Sequence, residues 1–421
     1  MSDGRVPRKT GEESGREAIC DVPRSQTDLM ETRREKMAGS SAQVRIGAIG
    51  MQGRGALAAQ WHQPEGKSVV VAGADIDERA HGEFRKRFGD SVFVTTDYRR
   101  VVERSDVDAV AVMSPDYCHE EHAVAALEAG KHVFCEKPLA ITVEGCDRIL
   151  DAARRSGKRL MVGFNMRYMN IFRVMKEIVD SGQIGEVKAA WVRHFVGFGG
   201  DWYYHDWHAL RRNTTSLLLQ KACHDLDMIH WITGQYTKRV AAFGSLDFYG
   251  GDKPNDLECP TCPEKDTCTE FLVWPGHSYC VFRKDVSVED NSVVIMELEN
   301  GIKATYTQCH FTPDYFRNYV FIGTEGRVEN LDDGSKVVLM TRNRSKKWRN
   351  LADHRIDVKP AEGGHGGADP QIARDFIDMI TMGKEPLSTP MAGRMSVATG
   401  CAAAESMRAG GKVVEVSRPR E

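Results

Sequence analysis

In the stretch GAIGMQGRGALAA, residues 47–59, three of the four glycines, Gly50, Gly53 and Gly55, lie close together where an apolar run gives way to a segment of helical character. A dinucleotide-binding turn uses one glycine for the tight turn, one for close approach to a pyrophosphate and one for packing of the following helix. Gln52 occupies the second glycine position of that motif, so an ordinary strand-to-helix turn is the alternative. The predicted cofactor contacts in the turn are Gly50, Gly53, Arg54 and Gly55.

Outward from this turn, short apolar runs alternate with amphipathic segments of helical length. Five runs have the composition of buried strands: VRIGAI (44–49), SVVVAGA (68–74), DAVAVM (108–113), KHVFC (131–135) and RLMVGF (159–164). The segments between them, such as HEEHAVAALEAG and VEGCDRILDAARRSG, have the pattern of helices. This alternation predicts an α/β fold with a doubly wound parallel sheet of the Rossmann type. We place this domain at residues 41–163.

Composition excludes several classes of function. The chain has 421 residues, enough for two domains, and a formal net charge of −3 without a long basic run, so we expect no nucleic-acid partner. No apolar stretch approaches the roughly 20 residues of a membrane span, so we expect no membrane association. Residues 1–40 are polar and of mixed charge, which predicts a disordered tail without a secretory signal and a cytoplasmic protein. The 11 scattered cysteines predict reduced thiols.

A carboxylate follows the second predicted strand. Asp75 stands where an acidic side chain would accept hydrogen bonds from the ribose hydroxyls of an adenosine and repel a 2′-phosphate. This position favours NAD over NADP. Two alternatives stay open: a turn or helix-capping role for Asp75, and binding of the NADP phosphate by the nearby Arg79.

A lysine stands where a buried strand ends. In KHVFCEKPLA, residues 131–140, the apolar run is followed by Glu136 and Lys137. The carboxyl ends of parallel strands line the ligand crevice, so we expect Lys137 to lie beside a bound nicotinamide. There it would hydrogen-bond a substrate hydroxyl, and a lowered pKa would let it share in proton transfer. A surface ion pair with Glu136 is the alternative. The neighbouring strand ends in further candidates, Ser114, Pro115 and His119.

The chain resembles the Gfo/Idh/MocA oxidoreductases in four stretches: GAIGMQGRG, ADIDE, SPDYCHEEHAVAALEAGKHVFCEKPLA and GFNMRYMNIFRVMKEIVDSGQIGEV. The glutamate-lysine-proline step is the most specific of these marks. The resemblance runs from about Val44 to Val416. It implies a dinucleotide-binding domain with Lys137 as the active-site lysine. It also implies that four residues lie along the cofactor: Ser114, Pro115, His119 and Glu136.

The second half of the chain, residues 164–421, has longer apolar runs with polar breaks: EVKAAWVRHF, RVAAFGSLDF, SVVIMELENGIKATYTQCHF and YVFIGTEGRVENL. Asn300-Gly301 between two runs predicts a hairpin, because both residues tolerate positive φ. We expect a C-terminal α/β domain with an open, largely antiparallel sheet. The resemblance implies that this sheet backs the substrate pocket and forms an oligomer interface, so we expect a homodimer or homotetramer.

A second group of chemical residues lies in LLLQKACHDLDMIHWITG, which predicts a helix from near Leu218 closed by Gly234. The spacing of Gln220, Lys221 and His224 allows them to face one side of the helix. The resemblance implies that His224 assists Lys137, and an aspartate commonly stands where this chain has Gln220. An amide cannot raise the basicity of a histidine as a carboxylate would.

This departure has two interpretations. In the first, Lys221 supplies a second cation that binds or polarises the substrate; in the second, the site has lost dehydrogenase chemistry. We favour a modified active site in which Lys137, His224 and Lys221 are catalytic and Gln220 contacts the substrate. Apart from the resemblance, a buried core histidine is the favoured interpretation of His224. Asp227, one turn further on, is predicted to be structural.

Aromatic residues cluster in GDWYYHDWHALRRN, residues 200–213. Aromatic faces with polar tips suit a sugar or cyclitol ring, which makes this a candidate substrate loop; a packed interdomain connection is the alternative. Two histidines here are weak evidence for a metal. The predicted substrate contacts, besides Gln220, are Arg167, His205 and Trp207.

An insertion at residues 250–282 carries four cysteines: Cys259, Cys262, Cys268 and Cys280. The tight spacing of the first pair favours a structural zinc site, with His277 as an alternative ligand. An Fe–S cluster and plain reduced cysteines are the other interpretations. Near the C-terminus, His365 in a glycine-rich segment either reaches the pocket or belongs to a flexible linker.

These observations predict an NAD(P)-dependent oxidoreductase that transfers a hydride between nicotinamide and a secondary alcohol of a sugar, sugar derivative or cyclitol. Lys137, helped by His224, would manage the hydroxyl proton. Two alternatives stay open. One is an enzyme that cleaves or eliminates glycosides with tightly bound, recycled NAD; the other is a non-catalytic nucleotide-binding sensor, which Gln220 favours and the intact glutamate-lysine-proline step disfavours.

Overall fold

The computed structural model describes residues 43–197, 200–274, 276–331, 334–342 and 353–419. The predicted N-terminal tail, residues 1–40, lies outside the described residues. Among the helices that the structure describes, none has the length and hydropathy needed to cross a membrane.

Within these ranges, six strands form the first sheet: β1 (Val44–Ile49), β2 (Ser68–Ala74), β3 (Phe93–Thr95), β4 (Ala109–Val112), β5 (His132–Cys135) and β6 (Leu160–Val162). All neighbours pair in parallel, in the order β3-β2-β1-β4-β5-β6. The predicted doubly wound sheet is confirmed, and β3 is a strand that the sequence did not predict. The order reverses between β1 and β4, the switch point at which such sheets bind ligands.

Helical segments connect these strands: a 3-10 segment (Gly53–Trp61), α1 (Arg79–Phe88), α2 (Arg99–Val102), α3 (His119–Glu128) and α4 (Val143–Ser156). Val133 and Phe134 in β5 point to opposite faces and are both fully buried, because both faces of the sheet are covered. Helix α4 begins where the Thr142 hydroxyl accepts the Gly145 N–H at 3.0 Å and ends at the left-handed Gly157.

Among the described residues, nine strands form the second sheet: β7 (Val187–Val196), β8 (Thr237–Ser245), β9 (Asn291–Leu298), β10 (Lys303–Cys309), β11 (Tyr315–Gly323), β12 (Gly326–Asn330), β13 (Lys336–Thr341), β14 (His354–Asp357) and β15 (Val414–Glu415). Their order is β14-β13-β12-β11-β7-β10-β9-β8-β15. Neighbours are antiparallel except for β7 with β10. The predicted open, largely antiparallel sheet is confirmed, and the turn between β9 and β10 has φ of 58° at Asn300 and 76° at Gly301.

The remaining helices of the described chain are α5 (Asn170–Asp180), α6 (Arg211–Thr214), α7 (Leu217–Gln220), α8 (Cys223–Thr233), α9 (Gly364–Met382) and α10 (Pro390–Arg408). Helices α5, α8 and α10 bury one face of the second sheet. On the opposite face, Trp191 is 54% exposed, Ile295 56% and Phe243 63%. The predicted homo-oligomer would cover such a face, and it stays a prediction.

Helix α9 returns to the first domain. The Trp61 indole is fully buried and donates from Nε1 to the Ala373 carbonyl oxygen at 3.0 Å. Its ring also packs against Phe134 and Phe376, with centroid distances of 5.1 and 5.6 Å. A helix from the far end of the chain therefore belongs to the core behind β5, and its first residues, with His365 and Asp369, lie beside Arg54 at the crevice.

A buried ion pair fixes α8 against the end of the first domain. Arg167 donates from Nε and Nη2 to the two carboxylate oxygens of Asp227 at 2.8 and 2.6 Å, and from Nη1 to the Leu387 carbonyl at 2.7 Å. Their side chains are 7% and 0% exposed. The prediction that Arg167 contacts a substrate is therefore corrected, because its guanidinium is committed to the interior. Asp227 is structural, as expected.

Replacing Asp227 by Ala should leave the Arg167 guanidinium buried without its partner. We expect the free energy of unfolding to fall by about 3–5 kcal/mol, measured by urea denaturation. The control is Asp151→Ala, which removes an ion pair with Arg154 whose side chains are 48% and 74% exposed; it should cost less than about 1 kcal/mol. Equal, small losses in both variants would show that the buried pair does not stabilise the fold.

Candidate active site

The loops after β1, β4 and β5 meet at one edge of the parallel sheet. Gly50 has φ of +89°, and a Cβ at this position would lie 2.6 Å from the Met113 carbonyl oxygen. A Cβ at Gly55 would lie 2.5 Å from the Gly50 carbonyl oxygen, so the turn also folds tightly upon itself. Gly53 has φ of +52° and open space around its Cβ position. The close contacts at Gly50 and Gly55 and the open space at Gly53 fit a turn whose backbone N–H groups bind a pyrophosphate.

Asp75 braces this turn. Its Oδ2 accepts the Met51 N–H and its Oδ1 accepts the Asp77 N–H, each at 2.9 Å. Beside it lies a cleft of about 310 Å³ whose lining includes Gln52, Asp77 and Arg79. Asp77 pairs with Arg79 at 2.8 Å, and this guanidinium lowers the pKa of Asp77 to about 2. The ribose contact predicted for Asp75 stays a prediction, and Asp77, which sequence reasoning missed, is a second acidic candidate in the same loop.

Arg54 joins the glycine turn to two distant segments. Its Nη2 lies 2.7 Å from Glu136 Oε1, and its Nη1 lies 3.3 Å from Asp369 Oδ1. His365 bonds Asp369 at 2.9 Å and approaches Arg54 at 3.4 Å. Burial opposes the charge of Arg54, but the carboxylates of Glu136 and Asp369 outweigh it and raise its pKa. Of the two interpretations of His365, the structure favours the one that brings it to the crevice.

His119 holds two crevice loops together. It is 1% exposed, and its ring nitrogens lie 2.7 Å from the Pro138 carbonyl oxygen and 2.8 Å from that of Ser114. The Ser114 hydroxyl in turn bonds His122 Nδ1 at 2.8 Å. This corrects the expectation that the His119 side chain lies along the cofactor, because both of its nitrogens are engaged in the interior. Ser114 and Pro115 are half-buried at the strand end and stay candidates.

Lys137 reaches from the end of β5 to the second domain. Its Nζ donates to the Gln220 carbonyl oxygen at 3.2 Å, and its own N–H donates to Glu136 Oε2 at 3.1 Å. Burial disfavours the ammonium, yet the surrounding groups, led by the Cys223 thiol and the Asp116 carboxylate, raise its pKa. The expected lowered pKa was wrong: Lys137 remains a cation and serves as a hydrogen-bond donor rather than a proton acceptor.

The predicted helix around Gln220 is interrupted. Helix α7 ends at Gln220 and α8 begins at Cys223, while Gly234 closes α8 with φ of 67° as expected. The interruption leaves the Gln220 carbonyl oxygen to accept from Lys137. A continuous helix would instead direct that carbonyl to the N–H four residues on. Lys221 therefore sits in a short connection between two helices, where its side chain is not confined to the helix face that the spacing suggested.

His224 and Gln220 present polar atoms without a partner among the described residues. His224 Nδ1 and Gln220 Oε1 are both buried and unbonded there, which in a native site points to a ligand or water. Burial, together with the Lys137 and Arg317 cations, holds the pKa of His224 well below its usual range. His224 is therefore neutral and suited to exchange hydrogen bonds with hydroxyl groups.

The residue after His224 anchors the helix. Asp225 is fully buried, accepts the Tyr306 hydroxyl at 2.9 Å and lies 3.2 Å from His194 and 3.3 Å from Arg317. Burial disfavours its charge, but Arg317 and His194 outweigh burial and lower its pKa. This group ties the start of α8 to the second sheet and thereby fixes the orientation of His224.

The aromatic loop divides into a buried part and a part at the crevice. His205 is fully buried and bonds the Tyr279 carbonyl at 2.6 Å, which corrects its predicted substrate contact. The rings of Trp207 and His208 are stacked with centroids 3.6 Å apart, and the Trp207 centroid lies 5.6 Å from that of Tyr117, near the end of β4. Trp207 therefore stays a substrate candidate. Tyr203 belongs to the aromatic cluster, but sequence reasoning did not single it out. Its hydroxyl accepts a hydrogen bond from Lys221 Nζ at 2.9 Å.

The four cysteines of the insertion lie around one small cavity. Their side chains line it together with Lys265, Phe271 and Phe282, and all four are free thiols. Among the residues that the structure describes, no group of three or more His, Cys, Asp or Glu is arranged to hold a metal ion. His277 faces Asp206, at 3.0 Å, instead of the cysteines. The zinc prediction is therefore not supported.

Residues 44–164 match the model of an oxidoreductase family with an NAD-binding Rossmann fold, GFO_IDH_MocA, and residues 176–416 match the C-terminal alpha/beta domain of the same family. A Bacillus subtilis protein, YteT, provisionally described as an oxidoreductase, is 26% identical over 74% of this chain and 82% of its own length. Inositol 2-dehydrogenase of Salmonella typhimurium is 31% identical over 47% of this chain and 56% of that enzyme.

A solved structure agrees in fold. Levoglucosan dehydrogenase, in complex with NADH and levoglucosan, superposes with a TM-score of 0.72 and 20% identity, over 90% of this chain and 100% of that one. At this identity the likeness concerns the fold.

Replacing Gly55 by Ala tests whether the glycine turn binds a dinucleotide. The new Cβ would meet the Gly50 carbonyl oxygen at 2.5 Å, so the turn must open, and we expect NAD affinity to fall at least about tenfold, or 1.4 kcal/mol, in a calorimetric titration.

The matched control is Gly82→Ala in α1, where an added Cβ meets no atom within 4 Å. It should leave NAD affinity unchanged and raise helix stability by up to about 1 kcal/mol. Unchanged affinity in a folded Gly55→Ala protein would contradict the assigned role of the turn.

Proposed function

The chain belongs to the Gfo/Idh/MocA oxidoreductase family, and from that premise we propose that it is an NAD-dependent dehydrogenase for a secondary alcohol of a sugar, sugar derivative or cyclitol. The observation that carries the proposal is Lys137, a cation at the carboxyl end of β5 whose ammonium reaches Gln220 in the second domain at 3.2 Å. Bound NAD would supply the hydride acceptor. The names of the inositol and levoglucosan dehydrogenases among its relatives support the substrate class.

The chain's own residues divide the remaining work. The Lys137 ammonium donates to the substrate oxygen and stabilises negative charge that develops there as its proton leaves. Neutral His224 and the Gln220 amide, with unpartnered polar atoms among the described residues, bind neighbouring hydroxyls and orient the reacting carbon. Trp207, stacked on His208, offers an apolar face to the ring. A site of neutral and cationic groups suits a polyhydroxy substrate.

We assign NAD rather than NADP as the cofactor because the loop after β2 is acidic. This loop carries the carboxylates of Asp75 and Asp77, and the Arg79 guanidinium is paired with Asp77 at 2.8 Å. The net negative charge that remains disfavours a 2′-phosphate. The residues that would hold the cofactor are those of the glycine turn and those that line the cleft of about 310 Å³ beside it.

Replacing Lys137 by Ala should lower kcat about 10²–10³-fold while NAD affinity is retained, because the ammonium stabilises the negative charge that develops on the substrate oxygen. The assay follows reduced nicotinamide absorbance with a panel of sugars and cyclitols, and calorimetry measures the cofactor. Lys303→Ala, at a side chain 66% exposed on the second sheet, is the control and should change neither quantity. Turnover that persists in Lys137→Ala would contradict the proposed role.

A further inference from the structure

None of the three residues that sequence reasoning made catalytic is a good proton acceptor. Lys137 remains a cation, because neighbouring groups raise its pKa against the effect of burial. Lys221 is itself hydrogen-bonded as a donor. His224 is held neutral with its pKa well below the usual range, first by burial and then by Lys137 and Arg317, and Gln220 stands where a carboxylate would have raised its basicity. The alcohol proton therefore needs another acceptor.

Tyr203 is held rigidly at the crevice by its neighbours in the chain. The next residue, Tyr204, is fully buried and stacks on Tyr249 with ring centroids 4.0 Å apart. His205 is also fully buried and bonds the Tyr279 carbonyl at 2.6 Å. With both following side chains anchored in the interior, the half-buried Tyr203 ring has little freedom to swing away.

The Tyr203 hydroxyl points to Lys221. The Nζ–Oη distance is 2.9 Å, and the same ammonium lies 5.2 Å from the centre of the tyrosine ring. The Lys221 backbone is fixed as well, because its N–H donates to the Leu217 carbonyl at 2.9 Å. A phenol that accepts a hydrogen bond from an ammonium is stabilised in its ionised form.

Two further cations and two histidine rings also face Tyr203. Lys137 and Arg317 act on it from the β5 loop and from β11, while His208 and His310 pack edge-on to its ring at 5.2 and 5.5 Å. Burial opposes ionisation, but Lys221 and Lys137 outweigh it and lower the pKa of Tyr203. The adjacent Tyr204 shows the opposite: burial and the Asp290 carboxylate raise its pKa well above the usual range.

We propose that Tyr203 is a catalytic residue of this site, the group that takes the proton of the substrate hydroxyl, and that Lys221 is its positioning residue. The proposal rests on the dehydrogenase function above. As the substrate carbon loses its hydride to bound NAD, the O–H bond breaks, its electrons form the second C–O bond of the carbonyl, and the proton passes to the Tyr203 phenolate oxygen. In the reverse direction the neutral phenol returns that proton.

This assignment explains the departure at Gln220. An acidic partner for His224 is dispensable once a phenol that accepts a hydrogen bond from the Lys221 ammonium performs the proton transfer. Lys137 then keeps its separate task, because it stabilises the substrate oxygen while Tyr203 removes the proton.

The first test is independent of turnover. In an alkaline titration followed by tyrosinate absorbance, the wild-type protein should show one tyrosine that ionises below the others. Tyr203→Phe should remove this early phase, Lys221→Met should move it to higher pH, and Lys221→Arg should restore it in part, because a guanidinium keeps the cation. Tyr279→Phe, at a tyrosine 42% exposed, is the control and should leave the phase in place. An early phase that survives Tyr203→Phe would overturn the proposal.

The second test is the pH profile. Oxidation should be slow below the pKa of Tyr203 and rise with pH as the phenolate forms. Lys221→Met should displace this rise to higher pH, and Tyr203→Phe should lose it together with about 10²–10⁴-fold in kcat, with unchanged thermal unfolding. Wild-type turnover and profile in Tyr203→Phe would overturn the assignment. If the wild type reduces no NAD with any sugar or cyclitol, the dehydrogenase function fails, whereas the titration still decides whether Lys221 activates Tyr203.

Discussion

The site depends on one contact between the two domains, the hydrogen bond from Lys137 Nζ to the Gln220 carbonyl oxygen at 3.2 Å. The lysine comes from the loop after β5, and the carbonyl is available because α7 and α8 are separate helices. The contact holds the ammonium at the carboxyl end of β5, beside the strands between which the order reverses. It also holds the short connection that carries Lys221 against the crevice, while the Asp225 anchor orients His224.

The electrostatic character of the site follows from this arrangement. Two ammonium groups enter a partly buried crevice, and the pKa values of the neighbouring groups respond in the expected directions. The His224 imidazole is held neutral, and the charges of Lys221 and Lys137 make the Tyr203 phenol more acidic. Of the carboxylates near the crevice, Glu136 is paired with Arg54, and Asp225 and Asp227 serve the fold. Asp116 is buried with its Oδ2 unpartnered among the described residues, and burial raises its pKa. The chemistry at the crevice is therefore that of cations, an amide, a phenol and one buried carboxyl group.

The sequence predicted the features that depend on local physics. Glycine spacing, apolar alternation and Asn300-Gly301 each reflect a constraint on neighbouring residues, and the corresponding turn, sheets and hairpin are present. Arg54 and Asp369 are 315 positions apart, and no local pattern connects them. The Tyr203–Lys221 bond likewise joins a loop to a helix break that the helical periodicity concealed. Arg167 and His205 are predicted substrate contacts that the structure buries, and their burial depends on tertiary packing that no local pattern shows.

The most direct test of the central claim uses carbon-deuterated sugars and cyclitols with NAD, and mass spectrometry of the reduced cofactor. The account predicts that one substrate transfers its deuterium to the nicotinamide in the wild-type protein and yields the matching ketone or lactone. A protein that binds both NAD and a sugar or cyclitol, yet produces no deuterated cofactor with any member of the panel, would contradict hydride transfer as its function.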